Sequence, residues 1–121
     1  IMAGKIIADT LEHSTAGSVT TDYVVSATPK SYAKVDGTVA TAQLDGSFNV
    51  SSVTDSDVGR YVLNITNSYS ATDDICTSVQ SVDANGFEWA VTLTTSTIRY
   101  ANHDGGYADV DMQGITCGDL A

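Results

Sequence analysis

Strict alternation of apolar and polar residues in the middle of the chain restricts its fold more than any other feature of the sequence. Phe48 and Val50 share one parity, and after a short turn Tyr61, Leu63 and Ile65 also share one parity. A β-strand directs successive side chains to opposite faces of its sheet, so a period of two is typical of a strand that is buried on one side. The sequence therefore predicts antiparallel strands that each cover a hydrophobic core with one face.

The composition favours strands over helices. The chain contains 16 Thr, 13 Val and 7 Ile but only 5 Leu. Side chains branched at Cβ have few χ1 rotamers in a helix and pack well on a pleated sheet. No window carries the apolar stripe at i, i+3, i+4 and i+7 that an amphipathic helix requires. We therefore expect an all-β fold.

Turn-forming residues divide the chain after Pro29 into short segments of strand length. The candidate turns are Gly37-Thr38, Asp45-Gly46, Asp55–Gly59 and Asp83–Gly86, and Asp-Gly is a strong hairpin signal. This spacing predicts an antiparallel β-sandwich or a small barrel formed by residues 28–121. The predicted core consists of Val35, Leu44, Phe48, Val50, Tyr61, Leu63, Ile65, Val79, Phe87, Trp89, Val91, Leu93, Ile98, Val110 and Met112.

Residues 2–27 differ from the rest of the chain. A short apolar run at 5–8 is followed by a polar stretch at 11–18 and by a strand-like stretch at 19–25. These stretches have strand chemistry but no obvious partner in their own chain. Pro29 marks the boundary, because the residue before a proline is held extended. We predict an extended N-terminal arm that serves anchoring or trimerisation.

The formal charge of −10, from 15 acidic and 5 basic residues, excludes two classes of partner. Nucleic-acid binding needs Lys and Arg to displace counterions from phosphates, so we expect no nucleic acid. The sequence also has no apolar run long enough to span a bilayer and no polybasic segment, so we expect no membrane insertion.

Two cysteines, Cys76 and Cys117, are too few for a disulfide scaffold or a zinc site. The simplest interpretation is a pair of buried or half-buried thiols. A single bridge between them would require adjacent strands, and the sequence leaves that question open. We predict no cofactor and no bound metal.

The densest polar cluster lies near the C-terminus and supplies the candidate binding residues Asn102, His103, Asp104 and Tyr107. Amide, imidazole, carboxylate and phenol groups beside two glycines can bind a sugar or another ligand, and recognition is often carried by loops on a rigid scaffold. The alternative is a simple turn that leads into an amphipathic strand.

Catalysis finds little support in the sequence. The two histidines, His13 and His103, are far apart in the chain, and so are the two glutamates, Glu12 and Glu88. No G-x-S-x-G motif is present, and neither cysteine has a clear base partner. We therefore predict that the protein is not an enzyme.

The stretch "SFNVSSVTDSDVGRYVLNIT" resembles a module of tail-fibre and appendage proteins of tailed bacteriophages. In that module a K-x-[WY] strand leads to a G-T turn, and two strands of the "SFNVSSVTD" and "G-x-Y-x-hydrophobic-x-hydrophobic-T" types follow. The resemblance covers residues 4–80 and is strongest at 30–38 and 47–66. The module often has Trp where this chain has Tyr32, whose parity is opposite to that of Ala33 and Val35.

The resemblance implies a phage virion structural protein that is assembled in the bacterial host cytoplasm and resides in the virion. The first expectation is a trimeric tail-fibre or receptor-binding component that contacts other virion proteins and a host-surface glycan or protein. A capsid decoration protein or head fibre is the alternative, and a carbohydrate-binding or adhesive module is a second one. Copy number per virion separates the first two, since tens indicate a tail appendage and hundreds a capsid protein.

Overall fold

The structure is a computed structural model that describes residues 4–82, 87–103 and 108–121, with only the backbone of Phe87. These residues form one α-helix, a single 3-10 turn and ten strands. The strands are β1 (Thr10–His13), β2 (Gly17–Thr20), β3 (Ser31–Asp36), β4 (Gln43–Phe48), β5 (Val50–Asp57), β6 (Arg60–Ile65), β7 (Cys76–Ser81), β8 (Phe87–Thr94), β9 (Thr97–His103) and β10 (Met112–Cys117), while the helix α1 spans Thr21–Ala27 and the 3-10 turn Thr72–Asp74.

Two antiparallel four-stranded sheets form the body of the molecule. The first sheet has the order β4-β3-β10-β7, and the second has the order β5-β6-β9-β8. The sheets remain open and pack as a sandwich, so the expected all-β fold is confirmed and the barrel alternative is not adopted. Strands β1 and β2 form a separate hairpin in the N-terminal region.

The hydrophobic core lies between the inner faces of the two sheets. The first sheet contributes Ala33, Val35 and Met112, and the second contributes Tyr61, Leu63, Ile65, Ile98 and Tyr100. The alternation in β6 is clean, since Tyr61, Leu63 and Ile65 are buried and the residues between them are half-buried. The prediction from that alternation is confirmed.

The predicted orientation of β8 is wrong. Directly opposite residues in an antiparallel pair share a face, and Ala90 is opposite the buried Tyr100 while Trp89 is opposite Ala101. Ala90 therefore packs against the core, whereas Trp89 is half-buried on the outer face and Leu93 is exposed. The large buried side chain at this place in the core is that of Tyr100 on β9. The side chain of Phe87 lies outside the described residues.

Phe48 was also predicted to be in the core, but it is 60% exposed. The reason is Asn49, which has a positive φ of 56° and separates β4 from β5. Asparagine tolerates this left-handed conformation better than most residues. Its side chain is held at both ends of the amide, as Oδ1 accepts from the Asn67 backbone N–H at 2.7 Å and Nδ2 donates to the Asn67 carbonyl at 3.1 Å. Phe48 and Val50 thus belong to different sheets.

The predicted hairpin turn at Asp45-Gly46 is absent, because β4 continues through both residues. Gly46 pairs with Lys34 and Leu44 with Val35, so the register shifts at Asp45 without a reversal of the chain. The chain reverses earlier, at the predicted Gly37-Thr38 turn. There the Asp36 carboxylate accepts hydrogen bonds from the Thr38 backbone N–H at 2.9 Å and from its hydroxyl at 2.8 Å. These hydrogen bonds from Thr38 lower the pKa of Asp36.

The N-terminal segment, defined as residues 4–28, folds as a hairpin followed by a helix. The strand predicted for residues 19–25 is wrong from Thr21 onward, since α1 begins there. Asp22 in the first turn favours the helix N-terminus, and Pro29 beyond the extended Thr28 ends it. The helix is attached to the preceding chain by Thr21, whose backbone N–H donates to the Asp9 carbonyl at 3.0 Å and whose hydroxyl donates to the Ala8 carbonyl at 2.8 Å.

Candidate functional site

The candidate loop predicted from the sequence is only partly described by the structure. Asn102 lies on β9 and is fully buried. Its backbone N–H donates to the Gly59 carbonyl at 2.9 Å, and its Nδ2 approaches the Glu88 carboxylate at 3.4 Å. A ligand on the surface therefore cannot reach the amide of Asn102 in this conformation.

His103 is the next residue on β9 and faces the other way. Its ring lies on the outer face of the second sheet, with a centroid 6.5 Å from that of Trp89. Asn102 and His103 thus point to opposite faces and cannot contact one ligand together. Asp104 and Tyr107 lie outside the described residues, so a ligand at this loop stays a prediction.

A more complete arrangement of binding groups lies on the outer face of the first sheet. Residues that are directly opposite one another on β4, β3, β10 and β7 form two parallel rows across this face. We call it the two-row face: the apolar row contains Phe48, Tyr32 and Ile115, and the polar row contains Lys34, Gln113 and Gln80.

Alternation along the strands produces these rows. In β3, Ser31, Ala33 and Val35 are buried, so Tyr32 and Lys34 must point outward. The opposed parity of Tyr32 and Ala33 is readable in the sequence. The partners on β4, β10 and β7 are not, because they depend on a strand order that the sequence does not reveal.

Two glycines shape the face. Gly114 is opposite Ala33 and has an inward Cβ direction, where a Cβ would come within 2.7 Å of the Tyr100 hydroxyl oxygen. The missing side chain therefore lets Tyr100 pack directly against the backbone of β10 beneath the face. Gly46 is opposite Lys34, and a Cβ there would meet nothing within 4 Å. The space beside Lys34 is consequently open to solvent.

The apolar row is unusually exposed for side chains of its size. Tyr32 is 48% exposed, Phe48 60% and Ile115 49%. The rings of Tyr32 and Phe48 have centroids 6.5 Å apart and planes that differ by 17°, which is a stacked arrangement. A groove of about 460 Å³ runs beside this row from Tyr32 across β10 to Gln80. Its volume is within the range of about 300–1,000 Å³ that is common for ligand sites.

The polar row supplies hydrogen-bonding groups, and its only charged side chain, that of Lys34, is paired with an acidic neighbour. Lys34 Nζ lies 3.3 Å from Asp45 Oδ2, so its charge is balanced by a neighbour. Gln113 and Gln80 are opposite each other on β10 and β7, and both outward amides carry donors and an acceptor. The face can therefore stack on a flat apolar surface and hydrogen-bond to hydroxyl groups beside it.

The N-terminal segment is a second surface with apolar side chains in contact with solvent. No residue of α1 is buried. Ile6 and Tyr23 are among the most exposed large side chains of the N-terminal segment. One contact to the sandwich comes from the Cys117 thiol, which lies 3.5 Å from the Ala27 carbonyl oxygen. Such a surface is typical of a segment that binds another protein surface.

Within residues 4–82, 87–103 and 108–121, no group of three or more His, Cys, Asp or Glu side chains could hold a metal ion. In the same part of the chain, no helix is long and apolar enough to cross a membrane.

Comparison with known proteins adds no relative. A scan against protein-family models, a search of curated proteins and a search of solved structures each gave no match.

Proposed function

We propose that this protein is a non-catalytic structural component of a bacteriophage virion, in which a homotrimer forms part of a tail fibre or receptor-binding appendage. The two-row face is the observation that carries the recognition role. The resemblance of residues 47–66 to appendage modules supplies the setting.

The chemistry of the two-row face favours a glycan as the ligand. A pyranose ring presents C–H groups on its flat faces and hydroxyl groups around its edge. Tyr32 and Phe48 offer an exposed aromatic surface for the flat face, which removes apolar area from water on binding. Gln80 and Gln113 lie in the adjacent row, where amide donors and acceptors can bind the hydroxyl groups.

Electrostatics favours an uncharged sugar over a polyanion. The chain has a formal charge of −10, and Lys34 in the polar row is paired with Asp45. A polyanionic ligand would be repelled by the molecule as a whole, although only over about 8 Å at physiological salt. A neutral hexose unit meets no such penalty.

The exposed N-terminal segment supports the structural half of the proposal. Ile6 and Ile7 are 92% and 82% exposed, although burial of each would contribute roughly 1.5–3 kcal/mol. Packing against the same segment of two other copies in a closed trimer would provide that burial. The same observation favours a capsid decoration protein or head fibre, in which the segment would bind the capsid.

The recognition half is tested by glycan-array binding and by adsorption of virions to host cells. Tyr32→Ala combined with Phe48→Ala should weaken glycan binding by about tenfold or more, the effect of losing about 1.4 kcal/mol. Val58→Ala is the control, since it removes an exposed apolar side chain from the turn between β5 and β6, in the other sheet. Unchanged binding in the double variant would refute the glycan site.

The structural half is tested separately by light scattering of the full chain and by counting copies per virion. A trimer at micromolar concentration with tens of copies supports the appendage role. Hundreds of copies would favour capsid decoration, and a stable monomer would contradict the homotrimer.

A further inference from the structure

Cys76 and Cys117 are directly opposite each other on the neighbouring strands β7 and β10. We propose that they form an intramolecular disulfide when the protein meets an oxidising environment. Both are free thiols in this structure. This inference concerns covalent chemistry outside the two-row residues and does not depend on what those residues bind.

The register that brings the two cysteines together is fixed on both sides. One residue along, the hydroxyls of Thr77 and Thr116 are 3.0 Å apart across the same pair of strands. Beyond the strand ends, the Ser70 backbone N–H donates to the Asp119 carbonyl at 2.8 Å. A slip of one residue would break these contacts and turn one thiol to the other face.

The backbone geometry at this position allows a disulfide, but only a strained one. The Val82 N–H donates to the Asp111 carbonyl at 2.9 Å, which makes Val82 and Asp111 a hydrogen-bonded pair. Such pairs alternate along an antiparallel ladder, so the pairing of Cys76 with Cys117 falls on the same type of position. Their Cα atoms are then about 5.5 Å apart, inside the usual range for a disulfide. The Cβ atoms of a hydrogen-bonded pair are also about 5.5 Å apart, however, whereas a disulfide needs about 3.5–4.5 Å. The two strands must therefore move closer together, and the resulting bond is strained and easily reduced.

Both thiols lie on one face and can be reached by a small oxidant. Cys76, Ser78 and Gln80 are exposed at alternate positions of β7, so Cys76 points outward. Cys117 shares that face as its cross-strand partner and is half-buried. Accessible thiols react faster than buried ones, so Cys76 is the first to react.

The oxidant in this step is a low-molecular-weight disulfide such as oxidised glutathione. The thiol of Cys76 loses its proton and attacks one sulfur of the oxidant, which releases one thiolate and leaves a mixed disulfide. The thiol of Cys117 then loses its proton and displaces the second thiolate. The two chain thiols are oxidised by two electrons, and the oxidant is reduced to two small thiols.

The bridge would attach the edge strand β7 to the interior strand β10. It would also close a long loop that contains β8 and β9, and this lowers the entropy of the unfolded chain. The Cys117 thiol would no longer donate to the Ala27 carbonyl, so the bond also removes one contact to the N-terminal segment. Thiols remain reduced in cytosol and form such bonds outside the cell.

The test uses the purified full chain incubated with oxidised glutathione. We expect the intact mass to fall by two hydrogens, both thiols to become inert to maleimide, and a proteolytic digest to link the peptides of Cys76 and Cys117. Dithiothreitol should reverse all three changes, and at a low concentration because the bond is strained.

A matched control keeps two thiols on the same face but offsets them. The double variant Cys76→Ser with Ser78→Cys places its thiols diagonally, beyond about 7 Å between Cα atoms. It should form the bridge at least about tenfold more slowly than the natural chain. Equal rates in the two proteins, or only glutathione adducts and linked dimers in the natural chain, would overturn the proposal.

Discussion

In β6, every second side chain is buried, whereas in α1, which is also rich in valine and tyrosine, none is. Tyr61 on β6 is fully buried, but Tyr23 on α1 is 69% exposed. The difference lies in what faces them, because β6 is opposed by the inner face of the first sheet, whereas no such surface covers α1 among the residues that the structure describes. Apolar side chains stabilise a fold only where a second surface removes them from water. The stability of the single chain therefore resides in the sandwich.

The most severe test of this comparison removes a large side chain from the core. Tyr100→Ala should lower the free energy of unfolding by about 3–5 kcal/mol, because it leaves a cavity between the sheets. Val25→Ala in α1 should change it by less than about 0.5 kcal/mol. Urea denaturation of both variants gives the two values, and similar losses would break the comparison.

A smaller effect comes from adding volume instead of removing it. A Cβ at Gly37 would overlap the Tyr61 hydroxyl oxygen and the Val110 carbonyl oxygen. Gly37→Ala should therefore destabilise the protein by about 1–3 kcal/mol, the usual cost of overpacking. Gly46→Ala is the control, since its Cβ points into open space. Thermal unfolding that shows equal losses in the two variants would contradict the tight closure at Gly37.

Alkaline pH should reveal the burial of Tyr61. Burial raises the pKa of Tyr61 to about 12, above an unfolded value of about 10. The folded state then holds its phenolic proton more tightly, so the associated stability is complete below pH 10 and is lost as the pH rises to about 12. Tyr61→Phe should flatten the fall of stability across this window, and Tyr23→Phe should not. Denaturation curves at pH 9, 10.5 and 12 would measure the slopes.

The smallest expected effect on stability concerns the exposed side chains of α1. Tyr23→Ser combined with Val25→Ser should leave the free energy of unfolding of the sandwich within about 0.5 kcal/mol of its natural value. The same variant should shift the mass measured by light scattering toward the monomer, if α1 contributes to the trimer. A large loss of stability with no change in mass would show that α1 packs on the sandwich.

Alternation predicted β6 correctly because its apolar residues occupy one parity alone. The same reasoning was wrong for β8. Trp89 belongs to the more apolar set of alternate residues, but the other set, which includes Ala90, faces the core. The sequence of a strand shows which residues share a face, but it does not show which face points to the core. In β8 the small residue Ala90 can be on the core side because its cross-strand neighbour Tyr100 is large and buried. That choice depends on the partner strands, which the sequence of β8 does not contain.

The candidate site shows the same limit. The outward parity of Tyr32 is readable in the sequence, but its stacking on Phe48 is not. The sequence predicts one strand through Phe48 and Val50, but the left-handed Asn49 between them places the two residues in different sheets. Residues of the site come from strands that are adjacent in the order β4-β3-β10-β7 but distant in sequence. Local sequence patterns do not predict such an order.

Alternation along β3 has a consequence for how this protein can change. Its even-numbered positions Tyr32 and Lys34 face solvent, while Ala33 and Val35 carry the core. The residues of β3 that stabilise the fold are thus different from those available for contact with another molecule. Substitutions at the outward positions can therefore accumulate without a penalty in the core. Under the proposed function, the same scaffold could change its ligand specificity while its stability stays the same.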